Sequence, residues 1–593
     1  MKRLKACATV CAGLVITFPQ AAAQEAFVTI DGLFGDWQTI DPLYSDLQGD
    51  GIGTVDFGSV WITNDDRFVY VSFEVGGIVS LQSDSQILLG LDTDNNPSTG
   101  VSVCGLGAEL VWEFSERIGS FTAGGQSLNV ASQDMMLVAA PTVTSSIFEL
   151  SLDLDAEPRR LGPLFPSDTV SLCLAHGDAG DRLPDDGQQV TFTIDRNTGP
   201  RSFSIEIDRR AASALRLLAW NVEQDGLFET NRGNAIGRIL RLIDPDVVVF
   251  SEIFDHNAAQ TADRMNQLAP GEGGSEWFAS SAASSVVLAS RTPIVGTLSV
   301  DQNGRARGFF IERPEGFDRN VFIVGAHLYC CEADDRRQSQ VDQIMAAIRD
   351  AQADGRIPTR MPIILAGDMN FVGDYRQPQT LIEGVIVNPS FGPSFDPDWD
   401  GTPMTDVNPR TTGLPHTFTW LNPGAPNDRQ FMPGRLDYVI YSDAVMSAEL
   451  SFALYTPTIP FAELQRLGLL ASDTGAASDH LPIVVDFAPR NATATESTGT
   501  LPDRLSRLEL FPNPASDRIH LGLAQFTPDI RATVTIHDVM GRLLHAGDVQ
   551  SDDRSGRTLG LDIRGFPTGL YIVSLSTGDI TLWNSFVKVP ATN

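Results

Sequence analysis

The chain has 593 residues, more than one hydrophobic core supports, so three or four units of ~100–200 residues are expected. It is 42% hydrophobic, ordinary for a globular protein, and no internal apolar run reaches the ~18 residues needed to span a bilayer. A formal net charge of −33 repels polyanions at long range, which excludes nucleic-acid binding by bulk surface charge but not phosphate chemistry through a bound cation.

The first residues read as a targeting segment. Met1-Lys2-Arg3-Leu4-Lys5 is basic, Ala6 to Phe18 is apolar, and Ala21-Ala22-Ala23 supplies small residues for cleavage, so 1–23 is a signal peptide. Its removal takes Lys2, Arg3 and Lys5 with it, leaving a charge of −36, and also takes Cys7 and Cys11. Cys104, Cys173, Cys330 and Cys331 then remain in oxidising surroundings, with three connectivities open. Cys104 and Cys173 fall in one region and are the expected pair. The adjacent Cys330 and Cys331 form either a vicinal bridge or two free thiols. No CxxC pair supports a structural zinc site.

Residues 26–208 are β-rich. Val60-Trp61-Ile62, Phe68 to Phe73 and Val190 to Ile194 read as strands punctuated by Gly, Asp, Asn and Pro, and a β-sandwich is the economical fold. The stretch Ile30-Asp31-Gly32-Leu33-Phe34-Gly35-Asp36-Trp37 resembles the opening of carbohydrate-binding-type sandwich modules, which implies a glycan partner. Asp92, Asp94 and Asn96 alternate as they would around a structural Ca2+, and equally as they would in a polar turn.

Residues 215–489 mix periods of 2 and 3.6. Ile236, Ile239, Leu240 and Ile243 mark one amphipathic helix, and Val341, Ile344, Met345 and Ile348 another. Short apolar runs interleave with them at Leu215–Ala219, Val247–Phe250, Val286–Ala289, Val321–Val324 and Ile363–Leu365, which predicts a layered α/β domain. Residues 490–506 are small and polar and read as a linker. Residues 507–593 form a final small β unit, expected to be a sandwich.

Polar residues follow the ends of the middle strands: Asn221, Glu252, His327, and then Asp368 and Asn370. Asp437 precedes the strand Tyr438–Tyr441, and Asp479 and His480 precede Leu481–Asp486. If the first set is parallel and the second antiparallel, one mixed sheet gathers all eight at one edge, where open α/β sheets bind ligands. Carboxylate and amide oxygens suit Mg2+ or Mn2+. A cation there neutralises phosphate, and a His or Asp takes a proton from water. Each histidine needs a carboxylate to fix its ring, and Glu252 and Asp437 are available.

The blocks Ala219-Trp220-Asn221-Val222, Ser251-Glu252, Gly325-Ala326-His327-Leu328, Gly367-Asp368-Met369-Asn370, Arg435-Leu436-Asp437-Tyr438 and Ser478-Asp479-His480-Leu481-Pro482 resemble those of the endonuclease/exonuclease/phosphatase superfamily. The resemblance implies a four-layer sandwich, two mixed sheets flanked by helices. It implies Asn221, Glu252 and Asp479 at the metal, Asp368 at the attacking water, Asn370 and His327 at the phosphate, and His480 braced by Asp437. Arg305 and Arg307, on an expected strand Arg305–Glu312, are further phosphate contacts or plain edge charges. His416 to Trp420 either line the pocket or belong to the core. Phe391 to Gly434, rich in Pro, Gly, Asp and Asn, read as loops over the active edge, where specificity resides.

The tail, with Leu510-Phe511-Pro512-Asn513-Pro514, Val539-Met540-Gly541-Arg542 and Gly569-Leu570-Tyr571-Ile572-Val573, resembles the sorting domains of type IX secretion. That implies passage through this machinery to the cell surface or the medium. The expectation is a secreted metal-dependent phosphodiesterase acting on nucleic acid. Alternatives are a phospholipid or sphingomyelin phosphodiesterase, a phosphomonoesterase, and a surface glycan-binding adhesin with a vestigial hydrolase domain. No GxSxG, HExxH or GxxxxGK[ST] motif supports another hydrolase chemistry.

Overall fold

A computed structural model describes residues 28–490, apart from 48, 52, 84, 178–179, 186, 200, 202–204, 211–214, 272–275, 283–284 and 423–428. It also describes 509–589, apart from 512–514, 523–530, 539–541, 551–557 and 577–580. The expected signal peptide, the linker beyond Arg490, and the Pro512–Pro514 and Val539–Gly541 parts of the tail pattern lie outside the described residues. The chain forms two compact units, Met1–Ala492 and Thr493–Asn593.

The first unit begins with two antiparallel sheets. One has five strands, with Tyr44–Ser45 at its edge and Phe68–Val79 at its centre; the other has seven, including Ile87–Asp92, Thr169–His176 and the two-residue edge strand Arg182–Leu183. Alternation along the strands sends Val69, Val71 and Phe73 into a common core with Leu89, Leu91, Leu110 and Trp112. Among the described residues this region has only short 3-10 turns and no α-helix.

The central region contains two six-stranded mixed sheets, as the family resemblance implies, where the strand ends alone suggested one. In the first, Leu215–Asn221 lies parallel to Val247–Ser251 and antiparallel to Ile483–Pro489. In the second, Val321–His327 lies parallel to Ile363–Asp368, which lies antiparallel to Asp437–Tyr441. Both faces of each sheet are buried, as uninterrupted Val/Ile/Leu runs require. Leu217 and Ala219 meet Ile323, Ile364 and Val439 in a core shared by the two sheets. Leu218 and Trp220 face the other way, onto Ile236, Ile239, Leu240 and Ile243 of the helix Thr230–Ile243. Phe322, Val324 and Leu365 likewise face Val341, Ile344, Met345 and Ile348 of the helix Asp334–Ala353. The first helix stops where Asp244 turns left-handed (φ 47°) ahead of Pro245.

The boundary expected near residue 208 separates the sheets but not the packing. Val28, Ile30, Trp37, Phe68, Tyr70 and Val138 join the core between the central sheets, and Ile207 joins the helical side. Ile30 N–H donates to Pro415 C=O at 2.8 Å, and Ser151 Oγ lies 2.7 Å from His416 Nε2. The second unit has a three- and a four-stranded sheet around Ile519, Leu521, Val534, Ile536, Val573 and Phe586.

Candidate active site

The parallel registers put Asn221 beside Ser251 and His327 beside Asp368, and the antiparallel one puts Asp368 beside Asp437. Each sheet therefore contributes part of the constellation. Asn221, Glu252 and the Asp479-His480 pair come from the first sheet's strand ends, and His327, Asp368, Asn370 and Asp437 from the second's. Glu252, His327, Asp368, Asn370 and His480 line one cavity of about 720 Å3, and Asn221 and Asp437 are buried against these lining residues.

Asp368 is the hub. Its Oδ2 accepts from Asn221 Nδ2 at 3.0 Å and its Oδ1 from Asn370 N–H at 3.0 Å. His327 Nε2 stands 3.7 Å and His480 Nε2 3.9 Å from Oδ2. Burial raises the Asp368 pKa and the Asp437 charge raises it further, although His480 opposes them. Asn221 Nδ2 also donates to Glu252 Oε1 at 3.0 Å, so one amide bridges two carboxylates.

The two histidines are held in opposite charge states. His480 Nδ1 lies 2.8 Å from Asp437 Oδ2, which also accepts from Thr419 Oγ1 at 2.8 Å. Burial alone would discharge this ring, but Asp437 and Asp368 outweigh it and push the pKa up to about 10. Burial pushes the His327 pKa down to about 3, and the Arg305 guanidinium and His480 add to the effect. Its Nδ1 lies 2.7 Å from Ser285 Oγ. The carboxylate expected for it, Glu252, is instead engaged by Asn221 and by the Gln224 N–H at 2.8 Å. Ser285 reaches His327 from a separate loop, so a hydroxyl fixes this ring.

Several residues at or beside the cavity have left-handed backbones. Glu223, Gln224 and Asp225 (φ 47°, 47°, 59°), Glu252 (63°), Ser285 (57°) and Asn370 (51°) all adopt left-handed conformations. Such positions cost of order 1–3 kcal/mol each.

Glu252 lines the cavity and offers carboxylate oxygens suited to a hard divalent cation, while Asn221 behind it turns Nδ2 to Glu252 and accepts the Glu223 N–H on Oδ1. Asp479 stands further out, its Oδ2 accepting from Trp420 Nε1 at 2.9 Å. Glu223, which the sequence pattern did not single out, has its pKa raised by burial and by the neighbouring Asp479 and Glu252 charges. Asp368, Asp437 and His480 also lie close enough to share an ion. Within the trio, His480 Nδ1 and Asp437 Oδ2 already meet at 2.8 Å.

Arg305 lines the cavity and donates through Nε to His327 C=O at 2.7 Å, whereas Arg307 lies on the Ala306–Ile311 strand away from the lining residues. Thr419 donates to Asp437 and accepts from the Leu436 and Asp437 N–H groups, while His416 is a fully buried contact to Ser151. Trp420, Phe431 and Met432 from the long loop do border the cavity, and so do Gln82 and Thr142 from the N-terminal sheets. Cys330 and Cys331 are exposed thiols at its rim, and the Cys104 and Cys173 thiols interact but are not joined by a disulfide. Asp92 and Asp94 gather with Glu109, whereas Asn96 Oδ1 caps the Ser98 N–H.

Residues 218–480 match the Endonuclease/Exonuclease/phosphatase family, and residues 509–588 match the secretion system C-terminal sorting domain. No curated protein matches the chain. Among solved structures, the chain is similar to the human Nocturnin catalytic domain with bound sulfate, at 15% identity over 47% of this chain and 95% of that one, TM-score 0.29. It is similar to an endonuclease/exonuclease/phosphatase from Beutenbergia cavernae, at 16% identity over 63% and 100%, TM-score 0.30. It is also similar to the beta toxin of Staphylococcus aureus, at 18% identity over 46% and 99%, TM-score 0.28.

Proposed function

From the premise that residues 218–480 belong to the endonuclease/exonuclease/phosphatase family and carry a metal-dependent phosphodiester hydrolase, we propose that the substrate is extracellular nucleic acid. The sorting domain directs the chain through the secretion machinery to the cell surface or the medium. The observation that carries the substrate reading is the cavity wall. Exposed Phe254, with Trp420 and Phe431, flanks the histidines and offers flat faces on which bases stack. The −33 charge keeps non-specific affinity low, so turnover rather than tight binding is the expected behaviour.

Glu252 and Asn221, with Asp479 at the rim, would hold Mg2+ or Mn2+, which when bound neutralises phosphate charge. Hydrolysis moves one proton off the attacking water and one onto the leaving oxygen. Asp368, made more basic by burial, takes the first. The His480 imidazolium, held charged by Asp437, supplies the second, and proton return from Asp368 restores both groups. Neutral His327 and the Asn370 amide orient the phosphate. Arg305 contributes positive charge from behind His327, at its backbone carbonyl.

The reading extends to the fold. The two central sheets with helices outside make a four-layer sandwich, and the N-terminal pair a β-sandwich bearing a structural Ca2+ at Asp92, Asp94 and Glu109. A glycan partner has no supporting observation among the described residues, and the complete catalytic set disfavours a vestigial domain. The test is a panel of plasmid DNA, RNA, sphingomyelin vesicles and a chromogenic phosphodiester, each with Mg2+ or Mn2+ and with chelator. Cleavage of nucleic acid above the other substrates supports the reading. Preferential release of phosphocholine, or of inorganic phosphate from a monoester, replaces the substrate class. No turnover of any of them, with retained glycan binding, overturns the hydrolase reading.

A further inference from the structure

Away from the catalytic cavity, the two N-terminal sheets each end in a two-residue edge strand, Tyr44–Ser45 in one and Arg182–Leu183 in the other. Asp46 follows the first strand and Asp181 precedes the second. Their carboxylate oxygens, with one from Asp50, lie within 4.8 Å of one another. Such a group could be a solvated acidic patch, and Asp50 is exposed. Asp46 is not solvated, being 8% exposed, with both carboxylate oxygens buried and without a hydrogen-bond partner. A buried carboxylate with neither oxygen satisfied costs several kcal/mol unless something cationic meets it. The neighbouring charges are of the same sign: after burial itself, Asp185, Asp181 and Asp50 are what push the Asp46 pKa up to about 7.

We infer that Asp46, Asp50 and Asp181 form a calcium site that clasps the edges of the two N-terminal sheets. Oxygens spread over 4.8 Å fit around one ion at roughly 2.4 Å from each, the Ca2+–oxygen distance. An oxygen-only set of three carboxylates suits Ca2+ and not a thiophilic metal. The remaining oxygens of the site are already ordered: Asp181 Oδ1 and Oδ2 accept the Arg182 and Phe57 N–H groups, which aim that carboxylate at the gap. Exposed Asp50 leaves a route in for the ion. The site ties the edge of one sheet to the edge of the other. It is independent of the catalytic constellation and of the Asp92–Asp94–Glu109 cluster.

Chelator-stripped full-length protein is titrated with Ca2+ calorimetrically as wild type, Asp50→Asn, Asp46→Asn and, as a control for the other cluster, Asp94→Asn. Thermal unfolding is followed with Ca2+ and with chelator. Asp50→Asn, a surface change that leaves the fold intact, is expected to lose one Ca2+ per chain or to bind it at least about tenfold more weakly. That deficit is additive with the effect of Asp94→Asn. Asp46→Asn is expected to raise the Tm in chelator, where it removes a crowded charge, and to lower it relative to wild type in Ca2+. Equal Ca2+ counts and affinities in wild type and Asp50→Asn overturn the inference, as does an Asp46→Asn Tm increase of the same size in both buffers. If Asp46→Asn does not fold, the Asp50→Asn count decides.

Discussion

Replacing Asp437 with Asn keeps the shape of the His480 partner and removes its charge. In the wild type, Asp437 Oδ2 meets His480 Nδ1 at 2.8 Å, and with Asp368 it moves that ring from 6.5 to about 10 against the effect of burial. At 1.36 kcal/mol per unit this is of order 5 kcal/mol of preference for the charged ring, with Asp437 the larger of the two carboxylate contributions. Because the folded pKa is raised, the stabilisation is complete below the unfolded value near 6.5 and disappears as pH rises through about 10. Urea unfolding of wild type and Asp437→Asn between pH 6 and 10 measures it. The variant should be about 3–5 kcal/mol less stable at the acid end, the usual cost of breaking a buried ion pair, with the deficit closing toward the alkaline end. Asp368, whose pKa is also raised, adds its own loss of stability with rising pH, at lower pH, in both proteins. Hydrolysis should fall ~10²–10⁴-fold, the range for losing general acid–base function. Parallel pH profiles for the two proteins, or a His480 ring that still titrates near 10 in the variant, would refute the reasoning.

Ser285→Ala removes the 2.7 Å contact that fixes His327 and should slow hydrolysis about tenfold, the effect of one hydrogen bond, with metal dependence unchanged in the same assay. Thr419→Val unties Asp437 Oδ2 and leaves the Leu436 and Asp437 N–H groups unpaired; it should cost about 3 kcal/mol by denaturant unfolding, together with much of the activity. Mild oxidation should join Cys104 to Cys173, found by peptide mass mapping, since the two thiols already interact.

Much of the site was legible because chemistry sits where strands end. Asn221, Glu252, His327 and Asp368 each follow a run of buried apolar residues, and the two helical stripes pack onto the strands as their period requires. The number of sheets was legible only through the family resemblance, which implies two, and not from the strands themselves. A strand buried on both faces shows which residues alternate, as Leu217 and Leu218 do, but not which other strand lies beside it. The partner of His327 was misread for a related reason: Ser285 approaches across 42 residues of sequence, while Glu252 carried the more conspicuous charge. Thr419 carried no signal, since a threonine among His416, Phe418 and Trp420 looks like core until its hydroxyl is seen against Asp437. The contribution of Gln82 and Thr142 to the cavity was hidden because the N-terminal sheets read as a separate module, although Thr142 Oγ1 donates to Phe371 C=O 229 residues away.

Turnover of a chromogenic phosphodiester by the full-length protein, in wild type and Glu252→Gln across a Mg2+ titration, decides whether a metal held at Glu252 drives hydrolysis. The wild type should be inactive in chelator and recover fully with Mg2+ or Mn2+, and Glu252→Gln should need at least about tenfold more metal and reach a lower maximum. Equal turnover in chelator and Mg2+, or a Glu252→Gln curve that overlays the wild type, would contradict it.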